Sequence, residues 1–194
     1  KWDRPVIEAG SWGVGPAHGT SNFDRIRWPS QGASRRAILQ RMTRAVRVYF
    51  DFVSPYSYLA LSRLADFGVR HDVAWDPAPV FYAALLDANH LVGPAETSAK
   101  RRYTMNDVLR AAALHGVPLV GPPAHPFRSL EALRVTTLFA GDPRALELSV
   151  ALSAACWAEG RDLTDWDVLA DVVGLDRRAL REVRGEDRNV RPPL

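Results

Sequence analysis

The segment "VRVYFDFVSPYSYLALSRLADFG", residues 46–68, decides the fold class of this chain of 194 residues. Apolar residues alternate with other side chains from Val46 to Phe52, which predicts a strand. From Pro55 to Phe67 apolar side chains recur at helical spacing, and Gly68 is the expected end of that helix. The chain therefore passes from a strand directly into a helix, with Ser54 at the joint.

A second strand and a series of helices follow this joint. The stretch "RHDVAWDPAPV", residues 70–80, predicts a short strand, so the chain opens in the order β-α-β of thioredoxin-like and other α/β folds. Helical periodicity dominates after Pro79, and the predicted helices are Val80–Asn89, Ala99–His115, Ser129–Ala140, Arg144–Glu159, Asp165–Val173 and Arg177–Arg184. Thr164 and Asp167 have the spacing of a capping box, and Gly174 is the expected end of that helix.

The positive charge of the chain is confined to its first segment. Residues 1–41 contain seven Lys and Arg and three Asp and Glu, a net charge of +4, whereas the remaining residues carry −1. The body therefore lacks the basic surface of a nucleic-acid-binding protein. Residues 1–43 show no sustained period and are predicted to be an irregular extension, with Met42 as a natural start. Three acidic residues in residues 1–41 argue against a transit peptide.

Cysteine content and hydropathy indicate in which cellular compartment the protein is expected. The single cysteine, Cys156, excludes an intramolecular disulfide framework, and no Cys/His cluster has metal-ligand spacing, so a cytoplasmic protein without a metal is expected. Cys156 lies in an apolar run and is predicted to be a buried, inert thiol. The longest apolar runs, such as residues 151–157, are far shorter than the roughly 20 residues that cross a membrane. No membrane segment is expected.

Several other side chains have an ordinary structural interpretation. The histidines His90, His115 and His125 are interpreted as capping or packing residues, since an isolated histidine beside a turn or helix end usually is one. Trp157 and Phe139 are predicted to lie in the core. Asp107 and Arg110 are three residues apart on one helix and are predicted to form a surface pair.

Ser54 has two interpretations. Serine is a favoured N-cap and proline is favoured at the first helical position, so "SP" starts a helix without any function. The preceding strand adds a second possibility, because it places the hydroxyl at the carboxyl edge of a sheet and at a helix N-terminus, where an anion is favoured. The residues alone leave both open.

The sequence around Ser54 resembles a known family. The stretch "YFDFVSPYSYLA" is similar to the active-site segment of 2-hydroxychromene-2-carboxylate isomerases and kappa-class glutathione transferases, which share a DsbA-like thioredoxin fold with a helical insertion. The similarity continues through "PVFYAALL", "GPAETSAKRRY", "DVLRAAALHGVPLVGPPAHPF", "ALR" and "ACWAEGRDL", over roughly residues 44–180. It implies a thioredoxin-like α/β fold, with residues 44–78 as its N-terminal part, residues 79–184 as an all-helical insertion and residues 185–194 as an irregular tail.

The resemblance also implies a cofactor site. In that family a serine replaces the first cysteine of a redox pair and its hydroxyl binds the sulfur of glutathione; Ser54 is the matching residue. Pro55 and Tyr56 are then expected to shape the glutathione pocket, and Lys100 is expected to contact glutathione. The basic neighbours of Lys100 at positions 101 and 102 suit the carboxylates of glutathione or of the substrate.

Two features depart from the family pattern. The family has an asparagine that contacts the cofactor, but Leu91 stands in its place and Asn89 lies two residues earlier. A complete member continues into a cis-proline loop and two further strands, whereas this sequence ends at "GEDRNVRPPL". The expectation is that the C-terminal strands of the fold are missing and that this chain binds glutathione weakly.

The implied reaction is an isomerisation of a small aromatic substrate by reversible addition of the glutathione thiolate to a conjugated carbon. A kappa-like glutathione transferase and a non-catalytic, truncated thioredoxin-fold module are the alternatives. A disulfide oxidoreductase is excluded, because the joint has no cysteine. Members of the family are commonly homodimers, so a dimer is the expected partner arrangement.

Overall fold

The computed structural model describes residues 44–176 and Leu180. Its elements in chain order are β1 (Arg44–Phe50), α1 (Pro55–His71), β2 (Val73–Pro79), α2 (Tyr82–Ala88), a 3-10 turn (Pro94–Glu96), α3 (Ser98–His115), α4 (Leu130–Thr137), α5 (Ala145–Trp157) and α6 (Trp166–Val173). The predicted extension over residues 1–43, the predicted tail and most of the predicted helix Arg177–Arg184 lie outside the described residues.

The predicted β-α-β unit is present. β1 and β2 pair in parallel, with Val48 opposite Pro77 and Phe50 opposite Pro79, and α1 connects them. The two prolines have no N–H to donate to a further strand, which suits the edge of a sheet. β1 ends at Phe50, two residues earlier than predicted, because the chain turns at Asp51, whose carbonyl accepts the N–H of Ser54 at 3.1 Å.

Gly68 does not end α1, contrary to the prediction. The helix continues to His71 and ends at Asp72, which adopts left-handed dihedral angles of φ 55° and ψ 47° and donates its N–H to the Gly68 carbonyl. A Cβ at Gly68 would lie 2.7 Å from the carbonyl oxygen of Val73 and 2.8 Å from Nε1 of Trp75. The glycine therefore permits close contact between α1 and β2, a tertiary requirement that helical periodicity cannot reveal.

The predicted capping box of α6 is also absent. The N-cap is Asp165, whose side chain accepts the N–H of Asp167 at 2.8 Å. The hydroxyl of Thr164 instead donates to the carboxylate of Asp162 at 2.7 Å. Gly174 ends the helix in the left-handed conformation, as predicted.

The core is built around α5. All residues of α5 from Leu148 to Trp157 are buried, and the helix packs against α1, β2, α4 and α6. Trp157 donates its indole N–H to the carbonyl of Phe52 at 2.8 Å, so this central helix is tied directly to the turn after β1. Cys156 is fully buried, as predicted, and burial raises the pKa of its thiol. Phe139 packs against the same core.

Within the described residues, each helix is too short or too polar to cross a lipid bilayer.

Candidate active site

Ser54 is the N-cap of α1, as the sequence predicts. Its backbone is extended, with φ −91° and ψ 118°, and its Oγ accepts the N–H of Ser57 at 3.3 Å, while Pro55 occupies the first helical position. A serine hydroxyl has one proton to donate in addition to its lone pairs. Since the cap uses a lone pair, it does not engage the proton of the Ser54 hydroxyl.

Asp51 holds this joint in place. Its carboxylate is buried and accepts two backbone N–H groups, that of Val53 at 3.1 Å and that of Tyr82 at 2.8 Å. The second bond connects the end of β1 to the start of α2. The alternating pattern of the predicted strand gives Asp51 no special role. The only sequence signal for its role is that an aspartate stands at the start of a turn.

A cavity of about 390 Å³ opens beside the joint, which is a volume typical of small-molecule sites. Ser54, Pro55 and Tyr56 form one wall. The rest is contributed by α2, the 3-10 turn, α3 and the connector between α3 and α4, residues 116–129. Most of this lining is apolar, through the side chains of Phe81, Leu86, Met105, Pro126 and Phe127. The structure thus places one hydroxyl-bearing helix start against an apolar chamber.

Lys100 is not brought into this cavity. It is exposed on α3, whereas the next residue, Arg101, lines the cavity together with Ser54, Pro55 and Tyr56. Three of the four predicted site residues therefore share one wall, and the contact of Lys100 with glutathione stays a prediction.

Tyr56 connects the joint to α3. Its hydroxyl donates to the carboxylate of Asp107 at 2.7 Å, so Asp107 accepts from this phenol and does not form the pair with Arg110 that the sequence predicts. Burial, and then the neighbouring carboxylate, raise the pKa of Tyr56 to about 12. The phenol is consequently a neutral donor at physiological pH.

His125 lies on the cavity wall, which the sequence interpretation as a packing residue did not reveal. Its Nε2 is 2.9 Å from the carbonyl oxygen of Val53, and its ring meets that of Trp157 edge-on at 5.5 Å. Burial lowers the pKa of His125, and the positive charge of Arg101 lowers it further. The ring is therefore neutral near pH 7, and Nε2 carries the proton because a carbonyl oxygen only accepts. The connector has no period, so its sequence carries no signal for this position.

In the described part of the chain, no group of three or more His, Cys, Asp or Glu residues is arranged to hold a metal ion.

Comparison with known proteins adds three findings. Residues 45–190 match the family model of the DSBA-like thioredoxin domain. The chain is 32% identical over 147 residues to a 2-hydroxychromene-2-carboxylate isomerase of Sphingobium xenophagum, covering 73% of this chain and 74% of that protein. It is 31% identical over 140 residues to the protein of the same name from Pseudomonas putida, covering 69% of this chain and 68% of the relative.

A solved structure of 2-hydroxychromene-2-carboxylate isomerase is similar over 73% of this chain and 71% of the solved chain, with a TM-score of 0.64 and 26% sequence identity. The two chains therefore share one architecture over about that part of their length.

Proposed function

Since the chain belongs to the DSBA-like thioredoxin family and is related to 2-hydroxychromene-2-carboxylate isomerases, we propose that it is a glutathione-dependent isomerase of that type, acting on a small aromatic substrate. The observation that carries the proposal is the placement of the Ser54 hydroxyl. It caps α1 through a lone pair and lies at an apolar cavity with its proton available.

The donors at the start of α1 suit the sulfur of glutathione. Beside the Ser54 hydroxyl, the first turn of α1 offers the N–H of Tyr56, to which no described residue provides an acceptor. A hydrogen bond to a charged acceptor contributes about 1.5 to 3 kcal/mol, against about 0.3 to 1 kcal/mol for a helix N-terminus. Ser54 is therefore the main group of the chain that would lower the pKa of a bound thiol.

Bound glutathione supplies a nucleophilic sulfur that can add to a conjugated carbon and leave again. The contribution of the chain is to keep that sulfur ionised through Ser54 and to hold the substrate beside it. The apolar wall formed by Phe81, Leu86, Met105 and Phe127 suits a planar aromatic ring, because burial of apolar surface and ring contacts provide most of the affinity for such a guest.

The alternatives differ in what they require of this site. A disulfide oxidoreductase needs a reactive cysteine, but Cys156 is buried in the core and its thiol pKa is raised. A kappa-like transferase uses the same serine and the same thiolate. The names of both curated relatives favour the isomerase.

The proposal is tested by separating the two roles of the Ser54 hydroxyl. Aspartate is a good N-cap, so Ser54→Asp keeps the cap of α1, but at neutral pH its carboxylate has no proton to donate and repels a thiolate. We expect the free energy of unfolding of Ser54→Asp to lie within about 1 kcal/mol of the wild-type value. Its glutathione-dependent turnover should nevertheless fall about 10- to 100-fold. Ser54→Thr keeps a donor and most of the turnover.

Ser62→Ala is the matched control, because that hydroxyl lies on the same helix, bonds the Leu59 carbonyl and does not line the cavity. The assay follows the interconversion of 2-hydroxychromene-2-carboxylate and its ring-opened isomer by ultraviolet absorbance, with and without glutathione. Equal turnover of Ser54→Asp and wild type contradicts the proposal. Conjugation of a generic electrophile without isomerisation identifies a transferase, and the absence of any thiolate absorbance on adding glutathione identifies a non-catalytic module.

A further inference from the structure

We propose that Arg101 is the residue that binds the carboxylate of an aromatic acid in the cavity, and so selects acids over neutral aromatic guests. The inference rests on the proposed function, which supplies the aromatic substrate, and adds the group that recognises its charge. The juxtaposition that supports it is an exposed arginine on the wall of an apolar cavity, where the two carboxylates and the second cation of the lining are already engaged.

The register of α3 selects Arg101 from three consecutive cations. Successive helical residues are rotated by about 100°, so positions 100, 101 and 102 point in three different directions. Val108 and Ala112 are buried and mark the inward face of α3. Arg101 precedes them by seven and eleven residues and therefore lies on that same face, which Lys100 and Arg102 do not share.

The neighbours of Arg101 on α3 confirm which face meets the cavity. Thr104 and Met105, three and four residues further along the helix, both line it, as expected for a single helix face. Arg101 is thus at a position where the apolar stripe of the helix calls for a hydrophobic residue. At Arg101 the inward face of α3 borders the cavity and no longer the packed core.

The other charged groups of the cavity already have partners. The carboxylate of Asp51 accepts the N–H groups of Val53 and Tyr82, and that of Glu96 accepts the N–H of Gly93 at 3.1 Å. Arg128, the second cation of the lining, lies 3.7 Å from a carboxylate oxygen of Glu131.

Among the described residues, by contrast, no ion pair or side-chain hydrogen bond engages the guanidinium of Arg101. Its charge nonetheless acts inside the cavity, because it helps to lower the pKa of His125. A guanidinium in this situation is suited to a planar anion, which it binds through two parallel hydrogen bonds.

Local stability does not explain a cation here. The first turn of α3 contains no acidic residue, and a positive charge at a helix N-terminus is unfavourable by about 0.3 to 1 kcal/mol. The arrangement therefore disfavours the free helix and favours a negatively charged guest.

The experiment uses two probes of the same shape, chromone-2-carboxylate and chromone-2-carboxamide, titrated calorimetrically into the full chain without glutathione. We expect wild type to bind the acid more tightly than the amide, and Arg101→Gln to weaken the acid about 10- to 100-fold while leaving the amide unchanged. Arg102→Gln, the matched control one residue along, should leave both affinities unchanged. Arg101→Lys keeps the charge without the planar fork and should lose an intermediate amount.

Two results overturn the inference. One is unchanged binding of the acid to Arg101→Gln; the other is a loss of glutathione affinity in that variant with binding of the acid intact, since Arg101 would then serve the cofactor. The binding assay needs no turnover, so its outcome is separate from that of the isomerase assay. An acid preference that depends on Arg101, in a chain with no isomerase activity, supports the carboxylate site and contradicts the proposed reaction.

Discussion

Two titratable rings near the joint, those of Tyr56 and His125, carry no charge near neutral pH. Tyr56 stays protonated because burial and Asp107 raise its pKa to about 12. His125 stays unprotonated because burial lowers its pKa, and it holds the connector to the joint through the Val53 carbonyl. With these two rings neutral, the proposed discrimination between guests depends on the Ser54 proton and the Arg101 charge.

The pH dependence of stability follows from the buried ring of His125. Its folded-state pKa lies below the ordinary value of 6.5, so the unfolded chain takes up a proton first as the pH falls. The stability contributed by the neutral ring is therefore complete above about pH 6.5 and is lost as the pH falls from there through the folded-state pKa. The free energy of unfolding then changes by at most about 1.4 kcal/mol per pH unit, which is the limit for the uptake of one proton.

Denaturant unfolding of the full chain between pH 7.5 and about 5 checks this point. His125→Asn should show a flatter pH profile than wild type. Leu114→Asn, a change at a position of α3 that is 79% exposed, controls for the introduction of an asparagine and should keep the wild-type profile. Identical profiles for wild type and His125→Asn would refute the argument.

Packing of α1 against β2 depends on the absence of a side chain at one position. The indole of Trp75 donates to the Leu64 carbonyl at 2.7 Å and lies across Gly68, and its ring is 5.8 Å from that of Phe67. A Cβ at Gly68 would clash with both the indole and the Val73 carbonyl, so both must shift relative to α1. The close approach of the C-terminal part of α1 to β2 depends on this contact.

Gly68→Ala is therefore expected to destabilise the protein. Alanine gains about 0.5 to 1 kcal/mol in a helix interior, but overpacking of this kind costs about 1 to 3 kcal/mol, so we expect a net loss of about 1 to 2 kcal/mol in the free energy of unfolding. Val69→Ala, at the next residue and 57% exposed, should change stability by less than about 0.5 kcal/mol. A more stable Gly68→Ala would show that β2 moves aside at little cost.

The molecule as a whole is arranged around α5 and not around its sheet. In the described chain the sheet has two strands, with Val46 42% and Tyr49 65% exposed in β1. One cluster of buried side chains joins the end of β1 and α1 to the helices around α5. The predicted segment 44–78 and the described part of the predicted segment 79–184 consequently share a single core.

Hydrogen exchange should reflect this arrangement. Amides of α5 are expected to exchange only on global unfolding, because nearly every side chain of the helix is buried. Those of α2, which contains no buried residue, should exchange at least about 10³-fold faster through local opening. Native-state exchange followed by mass spectrometry measures both helices in one experiment, and equal protection of the two would contradict the central role of α5.

The sequence was sufficient for features whose cause is local. The strand and helix periods around "VSPYS" predict the β-α-β order, and Ser54 followed by Pro55 predicts the helix start, because a cap forms between neighbouring residues. The apolar run around Cys156 predicts its burial. The resemblance of these residues to a family is confirmed by the comparisons.

Other features depend on contacts between segments that are distant in the chain. The sequence of three consecutive cations does not show which of them lines a cavity, and the packing of α3 brings Arg101 to the cavity wall. Helical spacing predicts that Gly68 ends α1, since the contact that requires a glycine there comes from β2 and leaves no local signal. Asp51 and His125 bind backbone groups 31 and 72 residues away. Local periods and caps record what a segment does alone, whereas these positions are fixed only when helices, strands and connector pack into one core.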